Sequence, residues 1–174
     1  MKKTIAVGIA LLAVATMCRA DELPALSLAG FTIGEKIDLK DAAVCSARKI
    51  ESKGTSWYAG ITNCYETASV SSHDGFELIG VVLDGGKVVS VNAYVPCKTK
   101  EEGIKKGDEI LADYKKRFAG RVCLPGEDEK TGKYVLMVEK PDSQSGGTDV
   151  VITIYAKSFY DLLQPLMRPA PKKR

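Results

Sequence analysis

The strongest pattern of apolar and polar positions lies between residues 76 and 118, where two apolar runs meet at glycines and a long amphipathic stretch follows. Phe76-Glu-Leu-Ile-Gly-Val-Val-Leu83 and Val88-Val-Ser-Val-Asn-Ala-Tyr-Val95 flank Asp84-Gly85-Gly86-Lys87. Paired glycines between β-branched runs predict a two-residue hairpin turn, because such turns need positive φ and glycine adopts it without strain. With Gly85 and Gly86 as the loop, Phe76, Leu78, Gly80 and Val82 fall opposite Val95, Ala93, Val91 and Val89. That face carries no polar side chain and is the predicted core face. The other mixes Glu77, Ser90, Asn92 and Tyr94 with Ile79, Val81, Leu83 and Val88, which predicts partial exposure.

Thr99-Lys-Glu-Glu102 has the form of a capping box, in which a hydroxyl and a carboxylate satisfy orphan amides at a helix start. Ile104, Gly107, Leu111, Tyr114 and Phe118 follow at helical spacing, widened by Ile110, and Gly120 marks the expected stop. Gly107 either marks close approach of this helix to the sheet or is a tolerated glycine, costing about 1 kcal/mol against alanine.

Around this unit the signals are shorter. Residues 23–28 read as an extended lead-in, 31–37 as a short strand and turn, 38–50 as a short helix, 53–55 as a turn and 56–67 as a strand. Residues 71–75 read as a polar loop. Residues 134–139 and 150–157 are two further strands, and 158–163 a short helix that Pro165 closes. The predicted class is α+β: an antiparallel sheet with a strand–strand–helix–strand–strand core and one long helix packed on one face. In architecture alone this resembles small secreted inhibitor modules such as the β-lactamase inhibitor proteins, with no motif in common.

Charge and the first residues set the expected compartment. Met1-Lys2-Lys3, an apolar run from Ile5 to Ala15 and Cys18-Arg19-Ala20 form a secretory signal, cut after Ala20 and too short to span a membrane. Met17 before Cys18 disfavours lipidation at that cysteine. The expected organisation is a signal peptide over 1–20, one domain over 21–167 and a disordered basic tail over 168–174, in a bacterial periplasmic or secreted protein. Cleavage removes Lys2, Lys3 and Arg19, so the 25 basic residues fall to 22, equal to the 22 acidic ones. Arg168, Lys172, Lys173 and Arg174 lie in the last seven residues, which leaves the body slightly acidic. A nucleic-acid partner is thereby disfavoured, since it requires a basic patch on the folded domain. The tail attracts an anionic membrane surface only weakly by itself.

Cys45, Cys64, Cys97 and Cys123 remain after cleavage. An even number in an exported chain predicts two disulfides, with Cys45–Cys64 and Cys97–Cys123 favoured because each pair brackets a local unit. Crossed pairings stay open, since a helix about 30 Å long separates Cys97 from Cys123. Neither a C-x2-4-C pair for zinc nor a C-x-x-C redox motif is present.

Reactive chemistry is sparse. His73, the one histidine, sits in Ser71-Ser72-His73-Asp74, where sequence neighbours point apart and do not make a triad, and no Gly-x-Ser-x-Gly occurs. Gly126 and Gly132-Lys133 approximate a phosphate loop, but the spacing is one residue too long and Tyr134 replaces the metal-binding hydroxyl. No catalytic residue, cofactor or metal site is assigned. Trp57, Tyr58, Tyr65 and Tyr94 form the candidate interaction surface, because tyrosine and tryptophan dominate interface hot spots. The expected function is a non-enzymatic exported binding module of the inhibitor, immunity or accessory type, with another protein as partner. A cell-envelope structural or assembly factor is the alternative, and a hydrolase with an unrecognised site the third.

Overall fold

Seven strands, in spatial order Glu51–Trp57, Cys64–His73, Phe76–Asp84, Lys87–Val95, Val150–Ala156, Tyr134–Glu139 and Val122–Cys123, make the sheet on which everything else rests. The structure, a computed structural model, describes residues 25–57, 64–125, 132–141 and 147–167. The expected signal peptide and basic tail lie outside the described residues. In chain order the elements are β1 (Ser27–Leu28), β2 (Phe31–Thr32), α1 (Ala42–Arg48), β3 (Glu51–Trp57), β4 (Cys64–His73), β5 (Phe76–Asp84), β6 (Lys87–Val95) and α2 (Lys100–Arg117). β7 (Val122–Cys123), β8 (Tyr134–Glu139), β9 (Val150–Ala156) and α3 (Lys157–Met167) complete them. The α+β class is as expected, but the sheet is mixed. β3 to β6 form an antiparallel meander and β9 inserts beside β6, whereas the two-residue β7 pairs with β8 in parallel. A strand this short carries no periodic signal, so the stretch after the long helix gives no sign of it.

The central hairpin turns at Gly85 and Gly86, both at positive φ, yet its core face differs from expectation. Leu83 pairs with Val88, Val82 with Ser90 and Val81 with Val91, so Val89 is an extra residue on β6. Towards the other end Gly80 pairs with Asn92 and Glu77 with Tyr94, which places one extra residue on β5. Leu78 lies in that second bulge at φ 47° and is 66% exposed. The two bulges lie on opposite strands and cancel at the ends, while between them the register is slipped by one. A one-residue slip exchanges the faces of a strand. Ile79, Val81 and Leu83 are therefore buried, opposite Val88, Val91 and Ala93, and Leu78, Gly80, Val82 and Val89 leave the predicted set.

Helices cover both faces of the sheet. On one, α2 and the segment from Leu26 through α1 enclose the main core, which includes Leu28, Phe31, Ile79, Val81, Leu83, Tyr114, Phe118, Ile152 and Ile154. On the other, α3 covers a smaller cluster of Tyr65, Phe159 and Leu163 with Val82, Val89 and Tyr155, and a third of Cys123, Val135 and Tyr160. The expected short helix after β9 is α3, which lies on the face opposite α2 and continues through Pro165 instead of ending before it.

α1 is capped by Asp41, whose carboxylate accepts from Ala43 and Val44 N–H at 2.9 and 3.2 Å, and Lys49 ends it in the left-handed region. The expected strand over 56–67 is two strands, β3 and β4, and Gly54 sits at an irregularity inside β3. For α2 the capping box holds: Glu102 N–H donates to Thr99 Oγ1 at 3.2 Å, while the Glu102 carboxylate accepts from Lys98 N–H at 2.9 Å. Gly103, Gly107, Tyr114 and Phe118 face inward, and Ile104, expected in that stripe, is 43% exposed.

No disulfide joins the four cysteines, which corrects the expected pairing. The register supplies the reason. Cys123 pairs with Val135, which pairs with Tyr155 near the end of β9, whereas Cys97 follows Val95, which pairs with Val150 at its start. Five residues of strand separate those levels by about 17 Å, and a disulfide needs Cα atoms within about 7 Å. Cys45 O accepts from Ile50 N–H, beside Glu51 and its partner Ser69, while Cys64 lies five residues away along β4, opposite Trp57.

The glycines of α2 mark where it meets the β8–β9 connection. A methyl group on Gly103 would collide with the Thr148 carbonyl and the Pro141 ring. One on Gly107 would meet the Lys140 side chain, which can swing away at the expense of its 2.8 Å contact with Asp108. In urea unfolding, Gly103→Ala should lose about 1–3 kcal/mol through overpacking against backbone, although helix propensity alone gives it about 1 kcal/mol in its favour. Gly107→Ala should stay within about 1 kcal/mol of the parent, because an exposed ion pair is worth little. A stabilised Gly103→Ala protein would show that the close approach is absent.

Candidate functional site

Two tight turns and one helix face enclose a groove of about 570 Å³ on the α2 side of the sheet. Lys106, Glu109, Ile110, Asp113, Tyr114 and Arg117 recur at spacings of three and four, so one face of α2 supplies one wall. The floor is apolar, with Phe76 opening β5, Val95 closing β6 and Ile152 in β9.

The opposite walls are hairpin turns in which both loop residues are left-handed. Ala29 and Gly30, at φ 50° and 80°, join Leu28 to its partner Phe31. Asp74 and Gly75, at φ 49° and 82°, join His73 to its partner Phe76. Asp-Gly is among the strongest hairpin signals, yet the surrounding polar run gave residues 71–75 the look of a loop. The two turns meet: His73 lies so close over Gly30 that a side-chain carbon there would sit 2.8 Å from Nε2. The first turn is also tied to the helix, because the Tyr114 hydroxyl donates to Ser27 O at 2.9 Å. Arg48 stacks on Phe31 at 4.2 Å and donates to Gly30 O at 2.6 Å, bracing the same turn from behind.

The rim carries both signs. Asp113 and Arg117 pair at 2.7 Å, and the Arg117 guanidinium lies over the Tyr114 and Phe118 rings at 5.0 and 5.4 Å. Lys105 reaches Glu109 at 4.0 Å. Asp74 faces His73 Nε2 at 3.2 Å, with both side chains largely open to solvent. Burial, reinforced by the Asp113 carboxylate, pushes the Tyr114 phenol above its ordinary value, opposed by Arg117. Among the described residues no cluster of His, Cys, Asp or Glu could hold a metal ion. The groove thus offers an apolar floor, ion-paired walls and a phenol held as a donor.

Of the four residues of the expected aromatic surface, the structure describes the side chains of Tyr65 and Tyr94. Tyr65 is buried beneath α3 with its ring 4.9 Å from that of Phe159, so it serves packing. Tyr94 is partly exposed on the α3 side of the sheet, paired with Glu77 and Val151. Trp57 ends the edge strand β3, and its side chain, like all of Tyr58, lies outside the described residues. Of the cysteines, Cys64 is exposed and Cys45 and Cys97 are partly buried. Cys123 is buried and its thiol donates to Tyr134 O at 3.2 Å. Desolvation raises the Cys97 thiol, with Glu102 and Asp149 adding to the shift. The groove escaped the sequence reading because its walls come from segments about 80 residues apart. Its one legible sign is the charged edge that borders the apolar stripe of α2.

No family model matches the chain, and no curated protein or solved structure matches it either.

Tyr114 gives the site a pH signature. Its folded pKa is raised, so the folded chain holds the proton more tightly than the unfolded one. Stability from this group is complete below the ordinary tyrosine value of about 10 and falls as pH rises through it. Tyr114→Phe should lower stability by about 0.5–1.5 kcal/mol at neutral pH through the lost hydrogen bond and should flatten the decline above pH about 10. An unchanged alkaline slope in urea titrations of this variant would contradict the assignment. The cysteine geometry is checked separately: peptide mapping after thiol labelling of the unfolded, unreduced protein should find Cys45, Cys64, Cys97 and Cys123 all labelled, and paired cysteines would escape the label.

Proposed function

We propose that this protein is an exported, non-enzymatic binding module that takes a segment of a partner protein into the groove beneath α2. The observation that carries this reading is the groove's construction: an apolar floor of Phe76, Val95 and Ile152 between rims of both charge signs, walled by two braced hairpin turns. Such a site suits an extended polypeptide, whose side chains place apolar groups on the floor while its own charges and peptide groups meet the rim. The pre-set turns reduce the ordering that binding would otherwise require. The signal-like first twenty residues support export, and the other ligands a charged-rimmed groove could accept are less well served by a rim of balanced sign.

Two measurements test the proposal. A photo-crosslinking residue at Lys106, on the rim, and one at Lys53, on the distant edge strand, are compared in the native compartment. The expected result is one discrete protein trapped from position 106 and not from 53. Equal trapping at both positions, or none at 106, would remove the groove from the account. Mass measurement of the protein recovered from outside the cytoplasm should show loss of the first twenty residues, and an intact amino terminus on a cytoplasmic protein would remove export.

A further inference from the structure

The Ala29–Gly30 turn borders a second recess, of about 180 Å³, whose other walls are Phe31, Ala47, Arg48, Lys49, Ser72 and His73. Among the described residues its ionisable lining is Arg48, Lys49 and His73 with no carboxylate, whereas the neighbouring groove carries both signs. Arg48 is fixed there. Its guanidinium stacks on Phe31, pairs with Glu35 and donates to Gly30 O, which uses at most three of the five N–H donors of the group. Lys49 is exposed and enters no ion pair among the described residues. It stands at φ 54°, a conformation that glycine takes at a helix end without strain and lysine does not. A strained residue whose charged side chain lines a recess points to use of that charge. The last α1 carbonyls offer little opposition to an anion, because Cys45 O accepts from Ile50 N–H and Ser46 O from Lys49 N–H.

We propose that this recess binds a carboxylate group, held by Arg48 and Lys49 with the Ser72 hydroxyl as a further donor. Glu35 against Arg48 and Asp74 against His73 Nε2 stand just outside and limit the charge it accepts. A carboxylate, planar and singly charged, matches the edge of a guanidinium, while a phosphate dianion is repelled by those two acids. The site does not depend on what the groove takes. Its carboxylate has two sources, a free small acid or the partner segment, and only the second rests on the groove reading. Since one turn borders both spaces, a segment crossing that turn brings an acidic side chain or its own chain end here.

The test titrates the isotopically labelled full chain with sodium acetate, sodium chloride and inorganic phosphate at constant ionic strength. Nuclear magnetic resonance follows the Gly30 and Lys49 amides and the His73 ring. Acetate should shift these signals saturably at millimolar concentration, chloride should not, and phosphate should bind no more tightly than acetate. Lys49→Gln should weaken acetate binding about tenfold. Lys140→Gln, which removes an equal charge beyond the opposite edge of the sheet, should leave it unchanged. Shifts that do not saturate, an equal response to chloride, tighter binding of phosphate, or indifference to Lys49→Gln would each overturn the carboxylate site. The wild-type titration needs no variant, so it tests the site even if Lys49→Gln unfolds. The source is read from the crosslink at position 106. A lower yield in Lys49→Gln assigns the carboxylate to the partner segment, and an unchanged yield assigns it to a free acid. No crosslink at 106 removes the groove reading and leaves a saturable acetate site standing.

Discussion

The slipped register in the middle of the β5–β6 hairpin is the constraint on which the structure depends. An extra residue at Val89 and another at Leu78 displace the pairing of Gly80, Val81 and Val82 by one position and restore it at both ends. Through that slip Ile79, Val81 and Leu83 face the α2 layer, and Gly80 and Val82 face the other. Each flanking strand inherits the choice. Ala68 and Val70 of β4 follow Val81 and Ile79, and Ile152 and Ile154 of β9 follow Ala93 and Val91. The alternative face would set Gly80 in the middle of the main core, where it fills nothing. Asn92 would gain nothing by the exchange, since its side chain occupies the space over Gly80 on the α3 side.

Both layers use that division. On the α2 side, close packing at Gly103 fixes the start of the helix, and the Tyr114 bond to Ser27 fixes the amino-terminal hairpin against its other half. The groove is the space left between these two attachments. On the α3 side the covering is smaller, and it leaves a partly open sheet around Tyr94 and an outer leucine ridge. The sheet separates the groove on the α2 side from the exposed leucines of α3 on the other.

Local signals in the sequence were legible and non-local ones were not. The Thr99–Glu102 capping box, the Gly85-Gly86 turn and the strands at residues 134 and 150 each depend on a few neighbouring residues, and each appears where expected. The bulges depend on more distant partners. Val88 exchanges backbone hydrogen bonds with Gly34 and Glu35, and Gly86 O accepts from Ile37 N–H, so a segment about fifty residues away shapes the start of β6. No inspection of the hairpin alone supplies that. Tyr65 looked like a surface residue because α3, which buries it, is ninety residues further on. The cysteines illustrate the same limit: their even number fits disulfides, but only the register reveals how far apart the strands hold them. Of the groove, the sequence exposed the helix wall and missed the turns, one of which carried a recognisable Asp-Gly pair.

The register itself can be read in solution from cross-strand proton contacts by nuclear Overhauser spectroscopy on isotopically labelled protein. The account predicts contacts pairing Val81 with Val91, Val82 with Ser90 and Leu83 with Val88. Uninterrupted pairing of Val82 with Val89 and Gly80 with Val91 would contradict it, and would turn the apolar side of β5 away from the helix it is said to support.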